Sequence, residues 1–320
     1  MNGPIFIVGP HRSGSTLWHN LVATRLGILR LAETRFLGAP RQKDFKFFLE
    51  THARSLSTDA EIQSMVELCF SKKNVPGLDG AFWRFEAIPA ADNPEMKKEV
   101  ARRIKNSDKS IGAIAKIIIE ELVRFSGKTR ACVKFPLDVR YLSELIAWFP
   151  DCRIMHITRD PRAMAMSKSN DPSGTAIRIW EHPRLAWFIR KIMVLFVIAQ
   201  YRSSAKLHRQ FEQSKNYRLF RYEDLLAEPA KTLRGLCDFL ECEFTSDMLE
   251  PEKGEHEHQP SSLTGKKQKE FEPRAAVRWQ GVISPADRWA ITQFTGASMR
   301  ALGYDPVTHP IFRLDKAVKA

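Results

Sequence analysis

Residues 5–22 read IFIVGPHRSGSTLWHNLV. Gly9 and Gly14 keep the G-x-x-x-x-G spacing of a loop that cradles phosphate. The lysine that follows in a nucleoside-triphosphate loop is replaced by Ser15, and a cation, Arg12, stands inside the loop instead. Glycine at these two places lets the backbone turn tightly and aim its N–H groups inward. Ser13, Ser15 and Thr16 add hydroxyls at the start of a helix, whose terminus favours an anion. A simple helix cap accounts for Ser13 or Ser15, but not for the whole cluster after an apolar strand. A kinase or NTPase needs the missing lysine and a carboxylate to hold Mg²⁺, and the sequence offers no clear candidate for the second. The loop therefore suits a donor without a γ-phosphate.

The elements that must position this loop follow from the hydropathy pattern. Short apolar runs at Ile5–Val8, Ile28–Leu31, Ala131–Phe135, Arg153–Thr158 and Tyr217–Phe220 read as strands covered on both faces. Helical patterns such as Leu17–Leu26 and Leu142–Trp148 separate them. The alternation predicts an α/β fold, a P-loop-like parallel sheet flanked by helices. Residues 1–320 read as one domain, with a helical insertion at about 40–128 expected to cover the active site and broken by NVPGLDGAFW. A polar tail from Pro251 to Arg278 reads as a mobile loop before a last helix at Pro285–Leu302. In an open parallel sheet, ligands sit at the carboxyl ends of strands. The loop after the first strand, Glu33 after the second, Lys134 at the end of the third and Arg159 after the fourth all fall there.

Composition narrows the partners. Fifty Lys and Arg against 37 Asp and Glu give a formal charge of +13, which favours anionic ligands without choosing among them. Five cysteines without a CxxC pair suggest reduced thiols in a cytoplasmic protein. The sequence shows no signal peptide before the first strand. The most apolar stretch, Ile192–Ala199, is far too short to span a bilayer; it reads as a buried helix, with a patch for a greasy acceptor as the alternative. Peripheral membrane contact stays open, and the oligomeric state is not legible. The aromatic interleaving of an RNA platform is not evident, so no nucleic-acid partner is expected. His256 and His258 form a lone H-x-H without further ligands at metal spacing, so no metal is expected.

The loop RSGST at Arg12 to Thr16 resembles the 5′-phosphosulfate loop of the sulfotransferases that use 3′-phosphoadenosine 5′-phosphosulfate (PAPS) and release PAP. The resemblance implies that Arg12 stabilises the bridging oxygen and the sulfuryl group in flight. A second motif adds specificity. HITRDPRAMAMSKSN supplies Arg159 and, eight residues on, Ser167, the pair that holds the donor's 3′-phosphate in that family. An arginine fork and a hydroxyl suit one phosphate. The segment FRYEDLLAEP is similar to the family's R-Y-E-D-L-x-x-x-P and implies a place for Tyr222 near the adenine or phosphate side; a core tyrosine at a strand end reads nearly as well. AVRWQGVIS resembles the late basic loop over the donor, with Arg278 the favoured contact over Arg274. The R-K-G signature of animal cytosolic members is absent. The resemblance runs from residue 5 to about 305.

An acceptor hydroxyl needs a base, because a protonated alcohol is a poor nucleophile. The segment where animal cytosolic members carry their His reads CVKFPLD here, while LAETRF follows the second strand. It is similar to the E-T-R element of protein-tyrosine sulfotransferases, which implies Glu33 as the base and Arg35 on the acceptor side, with Lys134 matching that group's catalytic lysine. A capping carboxylate and its salt-bridge partner are the structural alternatives for Glu33 and Arg35. The expected function is transfer of a sulfuryl group to a carbohydrate, lipid-linked or small-metabolite hydroxyl. A kinase-like phosphotransferase and a non-catalytic PAP-binding protein are the alternatives.

Overall fold

In a computed structural model, the described residues are 3–31, 45–52, 56–70, 88–135, 141–169, 183–250 and 271–307. Glu33, Arg35, the NVPGLDGAFW break, His256 and His258 lie outside them. Five strands, β1 (Ile5–Val8), β2 (Leu29–Leu31), β3 (Ala131–Phe135), β4 (Arg153–Thr158) and β5 (Tyr217–Arg221), form a parallel sheet flanked by helices, in the order β2-β3-β1-β4-β5. Every residue of β1 is buried, which is why its four positions are all apolar rather than alternating. β3 pairs in parallel with both β1 and β2, with Ile7 opposite Lys134 and Leu31 opposite Val133. The chain folds into two compact units, one of Met1–Val8 with Val22–Ile154, the other of Gly9–Leu21 with Met155–Ala320.

In the first unit, helices α2 (Phe45–His52), α3 (Asp59–Cys69), α4 (Pro94–Lys105), α5 (Ile111–Phe125) and α6 (Leu142–Trp148) accompany β1 to β3; helix α1 (Ser15–Arg25) begins in the other unit. Four of these helices lie in the helix-rich stretch expected at about 40–128. Their ends carry ordinary start signals. Thr58 and Glu61 form a capping box on α3, Asn93 with Pro94 opens α4, and the Ser110 hydroxyl accepts the Ala113 N–H at the start of α5. Arg103 of α4 reaches Glu120 and Glu121 of α5 at 2.5 and 2.7 Å. Phe6 of β1 packs on Phe149, ring centroids 5.4 Å apart.

In the second unit, α7 (Pro161–Ser169), α8 (Pro183–Phe211), α9 (Tyr222–Ala227), α10 (Pro229–Leu240) and α11 (Pro285–Ala301) accompany β5. A core of Met164, Val197, Tyr201, Trp279, Ile291 and Met299 joins α7, α8 and α11. Two sequence expectations need correction here. The Ile192–Ala199 stretch is not a wholly buried helix: it is part of the 29-residue α8, with Val194, Val197 and Ile198 buried but Leu195 63% and Ile192 42% exposed. A continuous apolar run wound at 3.6 residues per turn faces both ways, and among the described residues only one side is buried. The end of the polar tail is also ordered, into 3-10 turns at Pro273–Ala276 and Arg278–Gly281, because Ala275, Ala276 and Trp279 are buried. All five cysteines are free thiols, and Cys69, Cys132, Cys152 and Cys237 are buried.

Candidate active site

The loop between β1 and α1 has the backbone that its sequence demands. Gly9 and Gly14 hold φ of 143° and 92°, and Arg12, a non-glycine, holds φ of 68°. Left-handed backbone at a bulky residue is uncommon and costs about 1–2 kcal/mol, so the surrounding fold imposes it. No side chain fits at Gly14, since a Cβ there would lie 2.9 Å from Cε2 of Tyr222. Gly14 O accepts from Leu17 N–H at 3.0 Å and opens α1. The first N–H groups of a helix have no intrahelical partner, and here they sit beside Ser13, Ser15 and Thr16. Ser13 and Ser15 are buried, and Ser13 Oγ has no hydrogen-bond partner.

Arg12 and Ser167, 155 residues apart in sequence, meet: Arg12 Nε donates to Ser167 Oγ at 2.9 Å. Ser167 sits on α7 and is buried. Arg159, at the end of β4, lies over the Tyr222 ring at 4.3 Å and donates from Nη2 to Ala275 O at 3.3 Å. Its Nε is buried with no hydrogen-bond partner. Tyr222 is itself buried, and its ring packs against both Gly14 and Arg159.

The segment Arg159-Asp160-Pro161-Arg162 does more than place one arginine. Asp160 accepts the Arg162 N–H at 2.8 Å, with Pro161 in the first turn of α7, and forms a buried ion pair with Arg162 at 2.6 Å. The Asp160 N–H donates to Glu223 Oε1 at 2.9 Å, and the Tyr304 hydroxyl donates to Glu223 Oε2 at 2.7 Å. Burial pushes the Glu223 carboxyl above its ordinary range, although the Arg159 charge and the Asp160 N–H act the other way. These groups lock the strand end that carries Arg159. An Asp before Pro at a helix start is a cap signal readable in the sequence.

Arg12, Ser13, Gly14, Ser15, Thr16, Arg159, Ser167, Tyr222 and Arg278 all fall in the second unit. Arg278 is turned to Glu272, with which it forms an ion pair. Lys134 belongs to the first unit, buried near the carboxyl end of β3. Among the described residues, no group of three or more His, Cys, Asp or Glu is placed to hold a metal ion, and no helix is long and apolar enough to cross a membrane.

Among solved structures, the chain is similar to the sulfotransferase domain of the Synechococcus PCC 7002 olefin synthase, at 19% identity and a TM-score of 0.54, over 95% of this chain and 97% of that one. It is similar also to the sulfotransferase domain from the curacin biosynthetic pathway, at 16% identity and 0.54, over 95% and 99%. At such identity the likeness speaks for the fold. No curated protein matches the chain. The model of the sulfotransferase family, however, matches residues 4–246, from the first strand through the phosphate-type loop, Arg159 and Ser167 to beyond α10. A match over that length, carried on the same fold, makes the chain a member of the sulfotransferase family.

Proposed function

We propose that this sulfotransferase takes its sulfuryl group from PAPS, releases PAP and sulfates a hydroxyl on a carbohydrate, lipid-linked or small-metabolite acceptor. One observation carries the donor reading. Arg12 of the loop and Ser167 of α7 are hydrogen-bonded, and Ser13 Oγ of the loop and Arg159 Nε after β4 are each buried without a hydrogen-bond partner. Buried polar groups are as a rule satisfied, so unmatched donors in the loop and at the strand end support an anionic ligand. A donor with a 5′-phosphosulfate and a 3′-phosphate would draw on both sets, with Ser13, Gly14, Ser15 and Thr16 on the first and Arg159 with Ser167 on the second.

In this reading Glu33 removes the acceptor proton as the hydroxyl oxygen bonds to sulfur in line. The bond between sulfur and the bridging oxygen breaks, and its electron pair stays on the 5′-phosphate of PAP. Arg12 and Lys134 offset the charge that builds on that oxygen. Tyr222 lies near the adenine or phosphate side of the donor, Arg278 contacts a donor phosphate in place of Glu272, and Arg35 binds the acceptor. A sulfuryl group carries less charge than a phosphoryl group, so no metal is needed to neutralise it. Five free thiols suit a reducing, cytoplasmic setting. The test is calorimetry of PAP on Arg12→Ala and Ser167→Ala. The reading expects each to weaken PAP about tenfold or more with the melting temperature little changed. Unaltered affinity in both would overturn the donor assignment.

A further inference from the structure

We infer that the solvent face of α8 docks this protein onto an anionic lipid surface. Phe188, Ile192, Leu195, Ala199, Arg202 and Lys206 follow one another at steps of four and three residues, so they lie in one line along the helix. All six are exposed. Trp187 and Phe196 flank the line, 61% and 39% exposed. Five large apolar side chains open to solvent within ten residues differ from the single scattered hydrophobes of an ordinary surface. The opposite side of the same helix is spent on the core, through Val194, Val197 and Tyr201.

The charge on the helix selects the occupant. α8 contains no Asp or Glu, while Arg190, Lys191, Arg202, Lys206 and Arg209 all lie on it. The acid that faces it from α11, Asp287, is paired with Lys191 at 2.5 Å. The line is therefore apolar in its first half and cationic in its second. Trp, Phe and Leu beside Lys and Arg match a helix that lies in the plane of a lipid interface, with apolar side chains in the acyl boundary and cations on anionic headgroups. It lies on the surface rather than across it, since no described helix can span a membrane. A second copy is a poorer occupant, because an acid-free basic face meeting itself brings like charges together.

The position of the helix gives the docking a use. The Phe196 ring stacks on His11, with centroids 6.4 Å apart, and His11 directly precedes Arg12. One flank of the apolar line therefore lies against the phosphate-type loop, and docking would bring that loop to the lipid surface.

The test is flotation of the full chain with vesicles of phosphatidylcholine alone or mixed with phosphatidylglycerol, at low and high salt. Wild type should float with the phosphatidylglycerol vesicles and be released by salt. The triple variant Phe188→Ser, Ile192→Ser and Leu195→Ser should partition about tenfold or more weakly. Arg202→Glu with Lys206→Glu should abolish the preference for phosphatidylglycerol. PAP binding and thermal melting on the same samples show that each variant is folded and that its donor site is intact. Absence of wild-type flotation, or equal flotation of wild type and triple variant, overturns the inference. So does a wild-type dimer in sedimentation velocity that the triple variant dissociates, which would assign the face to a second copy.

Discussion

Replacing Arg159 by Ala separates a 3′-phosphate contact from a structural role, and the structure says how large each effect is. Arg159 lies over Tyr222 at 4.3 Å and holds Ala275 O at 3.3 Å. Losing the ring contact costs about 0.5–2 kcal/mol of stability and loosens the Tyr222 ring packed against Gly14, so every nucleotide should bind somewhat less well. Losing a charge-assisted hydrogen bond to phosphate costs about 1.5–3 kcal/mol more, roughly ten- to hundredfold in Kd, and only for a ligand that carries the 3′-phosphate. The informative quantity is thus a ratio. Calorimetry of PAP and of adenosine 5′-phosphosulfate, which lacks the 3′-phosphate, on wild type and variant cancels the shared structural loss. The ratio of the two affinities should shift toward adenosine 5′-phosphosulfate by about tenfold or more. Equal weakening of both ligands would mean that Arg159 is only a strut, and the 3′-phosphate assignment would fall.

Other outcomes follow from other parts of the structure. Glu33→Gln should lower kcat by about 10²–10⁴ with PAP affinity and melting temperature near wild type; stability lost with turnover per folded molecule retained would make Glu33 a structural carboxylate. Gly14→Ala forces a side chain onto Tyr222, 2.9 Å from Cε2, at a φ of 92°, so stability should fall by about 1–3 kcal/mol and PAP binding should weaken. Adding Tyr222→Leu should restore part of both; no recovery would refute the packing argument. His156 is buried between Tyr217 Oη at 2.5 Å and Ser204 Oγ at 2.6 Å, and burial holds its pKa near 3, below the ordinary 6.5. The unfolded chain takes up this proton first as pH falls. The stability from neutral His156 is therefore full above pH 6.5 and is lost toward pH 3, at up to about 1.4 kcal/mol per pH unit. Melting curves from neutral pH to about pH 4 should flatten in His156→Asn; an unchanged slope would show that other groups carry the acid sensitivity.

The strands were legible because most are largely apolar runs bounded by turn residues: β1, β3 and β4 span the expected residues, and β5 runs one further, to Arg221. β2 is one residue shorter than its run, starting at Leu29, because Ile28 closes the turn after α1 through its N–H to Ala23 O. α8 was misread because hydropathy along a run does not show phase against neighbours, and only tertiary packing decides which side of 192–199 is covered. For the site, local motifs gave the loop and the strand-end Arg159. They could not give the Arg12–Ser167 hydrogen bond, which joins residues 155 apart, nor the Asp160–Glu223–Tyr304 chain that fixes Arg159. Such contacts exist only once the sheet has brought distant loops together.

The most direct measurement follows the sulfuryl group itself. The full chain is incubated with PAPS carrying an isotope-labelled sulfuryl group and a panel of hydroxyl acceptors, with and without EDTA, and products are read by mass spectrometry. The account predicts label on an acceptor oxygen, PAP formed in equal amount, and no loss of rate with chelator. Retention of all label on PAPS across the panel, or transfer that appears only from ATP and only with Mg²⁺, would contradict it.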